Sequence, residues 1–286
     1  MIKNTKNKSE KFKLQKNKKY LFATDLDGTF LTSYRDSMHV DNYQAVKMIK
    51  QHHFPFVIAT GRSWWWAKKI YDQLGLVDAS IHFSGAQIHN VNNNAFKVNF
   101  NHKFIEIYTY IKKEEIIELV KENDLITKVD FFSVVGKEHQ AEFSEMEDID
   151  KLFFDAFEFV CVIKNNPRYA NKLFLDLKKK YQKRFVIKYW EHQKMREIVF
   201  SPPETDKAIA LKYVLKQYNM TEDNLIYFGD NINDIEALKL AKMSYVPKNG
   251  NKKALEVAKE VLDNTNDQGA VAKKIIQLIN DLDNEK

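Results

Sequence analysis

The segment Tyr20-Leu21-Phe22-Ala23-Thr24-Asp25-Leu26-Asp27-Gly28-Thr29 runs from a short apolar stretch into an acidic, glycine-containing turn. Such a run, bounded by a turn signal, reads as a buried strand. The pattern returns downstream. Pro55 opens Phe56 to Ala59, which ends at Thr60-Gly61-Arg62, and Asn224 to Phe228 ends at Gly229-Asp230-Asn231-Ile232-Asn233-Asp234. Helical spacing fills the intervals, over Asp41 to His52 and from an N-cap at Ser63 to about Leu74, and Ile81 to Ser84 reads as a further strand. Strands alternating with helices predict an α/β fold, a parallel sheet with helices on its faces.

The middle of the chain changes character. Gln87 to Val91 and Ala95 to Phe100 flank three asparagines as a hairpin would. A helix over Glu114 to Glu122, strands near Lys128 to Val135 and Phe157 to Ile163, a helix from Pro167 to Tyr181, and strands Phe185 to Trp190 and Arg196 to Phe200 follow. This is an α+β insertion. From Asp206 the alternation resumes, with helices to Gln217 and over Asp234 to Leu240.

At 286 residues with 44% apolar content, the chain has room for one large domain and a smaller second one. Its net charge of +6 is local: residues 1–19 carry eight lysines against Glu10, a balance of +7 that leaves the rest at −1. That segment reads as a solvated, flexible tail, with polyanion binding as its functional alternative. Cys161 is the only cysteine, which excludes an internal disulfide and suits a reducing compartment. With no stretch resembling a membrane span or the apolar core of a secretory signal, the expected location is the cytoplasm.

Open parallel sheets place ligands at the C-terminal ends of their strands, where these polar clusters fall. Residues two apart on extended backbone project to one side, so Asp25 and Asp27 can face one pocket, and Asp230 and Asp234 supply two more carboxylates. Four converging carboxylates repel unless a cation joins them. Their all-oxygen character points to Mg²⁺ over zinc or copper. Thr60, Gly61 and Lys207 offer donors and positive charge suited to a phosphoryl group. Each fragment has a bland alternative as a turn or a helix cap; their ordered combination carries the reading.

These residues, in this order, resemble the four motifs of the haloacid dehalogenase-like phosphatases, and the long insertion after the second resembles the Cof-type branch with a type-IIB cap. The match runs from residue 20 to the end, with echoes at Ser84-Gly85-Ala86 and Asn266-Asp267-Gln268-Gly269. The resemblance implies a Rossmann-like parallel-sheet core over 20–86 and 201–286, and an inserted α+β cap over 87–200 that supplies substrate specificity. It implies Asp25 as nucleophile, forming an aspartyl-phosphate, and Asp27 as acid and then base. Mg²⁺ would be held by Asp25, the Asp27 carbonyl and Asp230, with Asp234 among the ligands or just behind them. Thr60, Gly61, Lys207 and Asn233 would contact the phosphate. Ala208, Leu238 and Ser84 depart from the usual Gly, Met and Asn, and 246–250 departs from the branch's usual loop; none touches the inferred catalytic groups.

The expected activity is Mg²⁺-dependent hydrolysis of a small phosphorylated metabolite, sugar phosphates first, by a monomer or weak homodimer. A phosphotransferase or mutase, or a regulatory protein binding polyanions through its tail, are the alternatives. Among the remaining features, Trp66 is expected on the buried side with Ala67, Ile70, Tyr71 and Leu74, and Trp64 or Trp65 toward the site. The eight histidines show no metal-ligand spacing, and Cys161 reads as core.

Overall fold

The computed structural model describes residues 12–34, 37–90, 107–108, 110–136, 139–191 and 194–285. In chain order the elements are β1 (Leu21–Thr24), α1 (Asp41–Gln51), β2 (Phe56–Ala59), α2 (Trp64–Gln73), β3 (Ala79–His82), β4 (Gln87–Asn90), β5 (Ile107–Tyr108), α3 (Lys113–Glu122), β6 (Phe131–Val135) and β7 (Gln140–Phe143). They continue with α4 (Met146–Ile149), β8 (Glu158–Lys164), α5 (Pro167–Tyr181), β9 (Val186–Glu191), β10 (Met195–Ser201), α6 (Lys207–Gln217) and β11 (Leu225–Phe228). The last are α7 (Ile235–Leu240), β12 (Met243–Val246), α8 (Lys252–Val257), β13 (Glu260–Val261) and α9 (Ala270–Asp283).

Two compact units result, one of Met1–Ile58, Gln73–Leu76 and Leu215–Lys286, the other of Ala59–Asp72 and Val77–Val214. In the first, strands pair in the order β13-β12-β11-β1-β2, all parallel. Every residue of β1 and β11 is buried, as their unbroken apolar runs require of strands covered on both faces. Thr24 stands opposite Phe228 on one side and Ile58 on the other, so these three strands end at one level. The helix α1 buries Ala45, Val46 and Ile49 and packs on α9, whose Ile275, Leu278 and Ile279 are also buried.

In the second unit an antiparallel sheet runs β7-β6-β8-β10-β9. Alternate residues Phe132, Val134, Phe159, Cys161, Ile198 and Phe200 join Ile116, Leu119, Val120, Leu173 and Leu177 in one core. Cys161 is a core residue as expected, and burial pushes its thiol pKa up, away from reactivity. The strands β3, β4 and β5 also pair antiparallel in this unit.

Three expectations are corrected. The third strand is Ala79–His82, two residues earlier than its apolar run suggests, because Phe83 and Ser84 take φ of 50° and 54° and turn the chain. The strand β7 was not foreseen: Gln140-Ala141-Glu142-Phe143 does alternate, but over only four residues, with Ala141 and Phe143 no more than half-buried. In α2 the inward tryptophan is Trp64, 8% exposed, whereas Trp65 and Trp66 are 63% and 70% exposed. At about 100° per residue the buried stripe centres near Ala67 and Leu74, about 60° from Trp64 and about 100° from Trp66. Trp64 stacks on His89 at 4.1 Å and meets Tyr71 and His82 edge-on. The proposed strand Ala95 to Phe100 and residues 1–11 of the basic tail lie outside the described residues. Among the described residues no helix is long and apolar enough to cross a membrane.

Candidate active site

Asp25 follows β1 directly and is 4% exposed. Its N–H donates to the Phe228 carbonyl at 2.9 Å, which carries the β1–β11 ladder one residue past the strand. The chain then turns through Leu26–Phe30, closed by the Leu31 N–H on the Leu26 carbonyl at 2.8 Å. Two features demand glycine at position 28. Its φ is +74°, and a Cβ there would lie 2.5 Å from Asp230 Oδ2. The next residue, Thr29, donates its hydroxyl to Asp230 Oδ1 at 2.6 Å.

Asp234, with no exposed surface, organises the loop after β11. Its Oδ2 accepts the N–H groups of Asp230 and Asn231, both at 3.0 Å, and its Oδ1 accepts the Tyr227 hydroxyl at 2.7 Å. Burial first, and the Asp234 carboxylate second, hold the Tyr227 phenol pKa well above its ordinary value, so it remains a donor. Gly229 is required here too, since a Cβ would lie 2.6 Å from Asp234 Cγ.

Asp25, Asp230 and Asp234 thereby each present a carboxylate oxygen within 4.8 Å of the others. Three such groups, two of them buried, repel one another unless a cation is shared. The donors are all hard oxygens, so the set fits a divalent ion of the magnesium type. Of the four carboxylates expected to converge, Asp27 is the exception: its side chain is exposed, because extended backbone (ψ 125°) and the Gly28 turn carry it outward. Asn233 lies in the same loop, half-buried, and its Oδ1 is shielded from solvent with no hydrogen-bond partner among the described residues.

The other expected site residues, Thr60, Gly61 and Lys207, lie in the second unit. Thr60 is fully buried, pairs through its N–H with the Ile81 carbonyl at 2.9 Å, and accepts the Ser84 N–H at 3.0 Å on its own carbonyl. Its hydroxyl accepts the Arg62 N–H at 3.1 Å, which fixes the turn at Gly61. A Cβ at Gly61 would lie 3.5 Å from Ser84 Oγ, and one at Gly85 would collide with the Asp206 backbone. Asp206 Oδ1 accepts the Ala208 N–H at 2.6 Å and starts α6, whose first residue, Lys207, is fully buried. Ser84 is held in the left-handed region, at φ 54°, which places strain at this turn.

The bracing roles of Thr29 and Tyr227 were not foreseen: Thr29 stands in the Asp25–Thr29 turn but its partner Asp230 is 201 residues away, and Tyr227 lies in an apolar run and reads as core.

The haloacid dehalogenase-like hydrolase family model matches residues 22–275. A candidate phosphatase of Metamycoplasma hominis is 25% identical over 273 residues, 91% of this chain and 96% of that protein. The 5-amino-6-(5-phospho-D-ribitylamino)uracil phosphatase YitU of Bacillus subtilis is 22% identical over 268 residues, 90% of this chain and 96% of its own length. In fold, the chain is similar to a candidate HAD/COF-like hydrolase of Plasmodium vivax, with a TM-score of 0.71 at 19% identity, over 94% of this chain and 96% of that one. With a family match across the parallel-sheet unit and the insertion, and an acidic cluster at the end of its central strands, the chain belongs to the haloacid dehalogenase-like hydrolases.

Proposed function

We propose that this protein is a Mg²⁺-dependent phosphatase acting on small phosphorylated metabolites through an aspartyl-phosphate on Asp25. The observation that carries the reading is the gathering of Asp25, Asp230 and Asp234 within 4.8 Å, an all-carboxylate set at the end of β1 and β11. Asp25, Asp230, the Asp27 carbonyl and Asp234 would hold Mg²⁺, which when bound would offset carboxylate repulsion and neutralise charge on the phosphoryl oxygens. Both oxygens of Asp234 already accept hydrogen bonds, which favours a place for it just behind the ion.

In the first step an Asp25 carboxylate oxygen attacks phosphorus, the bond to the leaving oxygen breaks, and Asp27 gives that oxygen its proton. In the second, Asp27 takes a proton from water, whose oxygen attacks phosphorus and releases inorganic phosphate with Asp25 restored. The exposure of Asp27 suits a group that must meet both leaving oxygen and water. Thr60, Gly61, Lys207 and Asn233 are assigned to the phosphate oxygens; the buried ammonium of Lys207 and the turn amides near Gly61 support that role.

Residues 87–200 are assigned as the cap, on the strength of the separate core under the antiparallel sheet. Sugar-phosphate-like compounds are the favoured substrates, since a related protein is named for a phosphoribityl compound. Purified protein with Mg²⁺ should release phosphate from p-nitrophenyl phosphate, and an Asp25→Asn variant should not. Equal release by the two proteins would defeat the proposal.

A further inference from the structure

Around the acidic cluster, three loops distant in sequence meet on one buried side chain. Asn266 is 1% exposed, at the turn preceding α9. Its Nδ2 donates to the Leu31 carbonyl at 2.8 Å and reaches Ser33 Oγ at 3.5 Å. Its Oδ1 accepts Asn249 Nδ2 at 2.8 Å, and its backbone N–H donates to Asn249 Oδ1 at 3.2 Å. Asn249 therefore commits both polar atoms of its side chain to one residue. The neighbouring Asp267 adds a second tie to the same Leu31–Ser33 segment, accepting the Ser33 N–H at 2.5 Å and the Ser33 hydroxyl at 3.0 Å.

Both arms of this junction end on Asp230. Leu31 closes the turn that carries Gly28 and Thr29, and Thr29 grips Asp230 Oδ1. On the other side, two residues after Asn249, the Asn251 N–H donates to the Asp230 carbonyl at 2.7 Å, and Gly250 packs so closely that a Cβ would lie 3.3 Å from that oxygen. Asn266 thus links the segment that positions the Asp230 carboxylate to the segment that positions its backbone. No other side chain has the chemistry for this: the junction needs a donor toward Leu31 and an acceptor toward Asn249 on one short planar group.

We propose that the reciprocal Asn249–Asn266 amide pair is a positioning device that sets the geometry of the Asp230 ligand, and so governs divalent-ion affinity, without either residue touching the ion or the substrate. This inference rests on the metal-dependent reading above. Asn266→Asp keeps the shape but sets an acceptor against the Leu31 carbonyl. Asn249→Ala removes one partner at an exposed position, where loss of fold is not at issue.

The test is calorimetric titration of the folded, full-length proteins with Mg²⁺, alongside Asn249→Ala, Asn266→Asp, the double variant, and Leu278→Ala in α9 as a control that lowers stability away from these loops. The expected result is Mg²⁺ affinity reduced about fivefold to thirtyfold in each single variant, the range that loss of one partly buried hydrogen bond gives. The double variant should be little worse than the worse single one, since the pair acts as a unit. Turnover at saturating Mg²⁺ should change less than twofold. Mg²⁺ affinity within twofold of the parent in the single variants, or losses matched by Leu278→Ala, would overturn the inference. A parent protein that binds no Mg²⁺ would sink the metal-dependent reading and this inference with it, whereas normal parent binding with unchanged variants sinks this one alone.

Discussion

Replacing Asp234 with alanine removes the acceptor shared by three donors: the Tyr227 hydroxyl at 2.7 Å and the N–H groups of Asp230 and Asn231 at 3.0 Å. Tyr227 and Asp234 have no exposed surface, so the phenol cannot simply turn to bulk water. Each buried donor left without a partner costs about 1–3 kcal/mol. The space of a lost carboxylate admits about one water, able to accept two of the three bonds. A net loss of about 3–5 kcal/mol is therefore expected, a large fraction of the roughly 5–15 kcal/mol that holds a domain folded. Asp234→Asn should be milder, about 2–3 kcal/mol: its oxygen can take both backbone N–H groups while its nitrogen donates to the Tyr227 oxygen, at the cost of the charge assistance and of the acceptor for the Tyr227 hydroxyl proton.

The assay must see the correct unit. All four tryptophans, Trp64, Trp65, Trp66 and Trp190, belong to the second unit, so their fluorescence does not report directly on the loop around Asp234. Urea unfolding followed by circular dichroism, with amide exchange at Asp230 and Asn231, reads the first unit directly. Faster exchange at both amides in Asp234→Ala, and protection largely kept in Asp234→Asn, is the expected pattern. Stability of Asp234→Ala within about 1 kcal/mol of the parent, or an asparagine variant worse than the alanine one, would show that the loop is held by something other than this carboxylate.

Three further outcomes follow from the same geometry. Burial, and then the neighbouring His89, depress the pKa of His82 to about 3, so the folded chain refuses a proton that the unfolded chain accepts below pH 6.5; stability should fall as pH drops from 6.5 toward 3, by about 3–5 kcal/mol, and His82→Leu should flatten that slope in urea titrations read by tryptophan fluorescence, since Trp64 lies 5.5 Å away. Gly28→Ala forces a left-handed residue, costing about 1–2 kcal/mol, and drives a methyl to 2.5 Å from Asp230 Oδ2, so Mg²⁺ affinity measured calorimetrically should fall more than tenfold. Mg²⁺ at a hundredfold above its dissociation constant should stabilise the folded protein by about 2.7 kcal/mol and raise the melting temperature, with chelator reversing the shift and Asp230→Asn abolishing it.

What could be read in the sequence, and what could not, divides along sequence distance. The ends of β1, β2 and β11 were legible because each is a short apolar run stopped by a polar, glycine-bearing turn, and local chemistry suffices for that. The pairing of Asp25 with Asp230 followed from assuming a parallel sheet. The brace around them did not: Thr29 bonds a residue 201 positions away, and Asn266 bonds one 235 positions away, so no window of sequence contains both ends. In α2 the failure was of phase, since three consecutive tryptophans carry no periodicity and only the packing of His82 and His89 decides that Trp64 is the inward one. The edge strand β7 carries its alternation only over Gln140–Phe143, too short a stretch to stand out from a loop.

The spacing of the carboxylates is at root a property of strand register. Asp25 and Gly229 leave neighbouring parallel strands at one level because Thr24 stands opposite Phe228 and the Asp25 N–H takes the Phe228 carbonyl. A slip of one residue would shift Asp25 against Asp230 by about 3.3 Å along the strands, a displacement comparable with the 4.8 Å within which the three carboxylates gather. It would also turn every side chain of β1 to the other face of the sheet, against the packing of Leu21, Phe22 and Ala23, none of which retains exposed surface. The apolar core thus fixes the charge geometry from below, while Thr29, Tyr227 and the Asn249–Asn266 pair trim it from above. A chain that keeps its core but loses one of these braces should stay folded and bind its ion poorly.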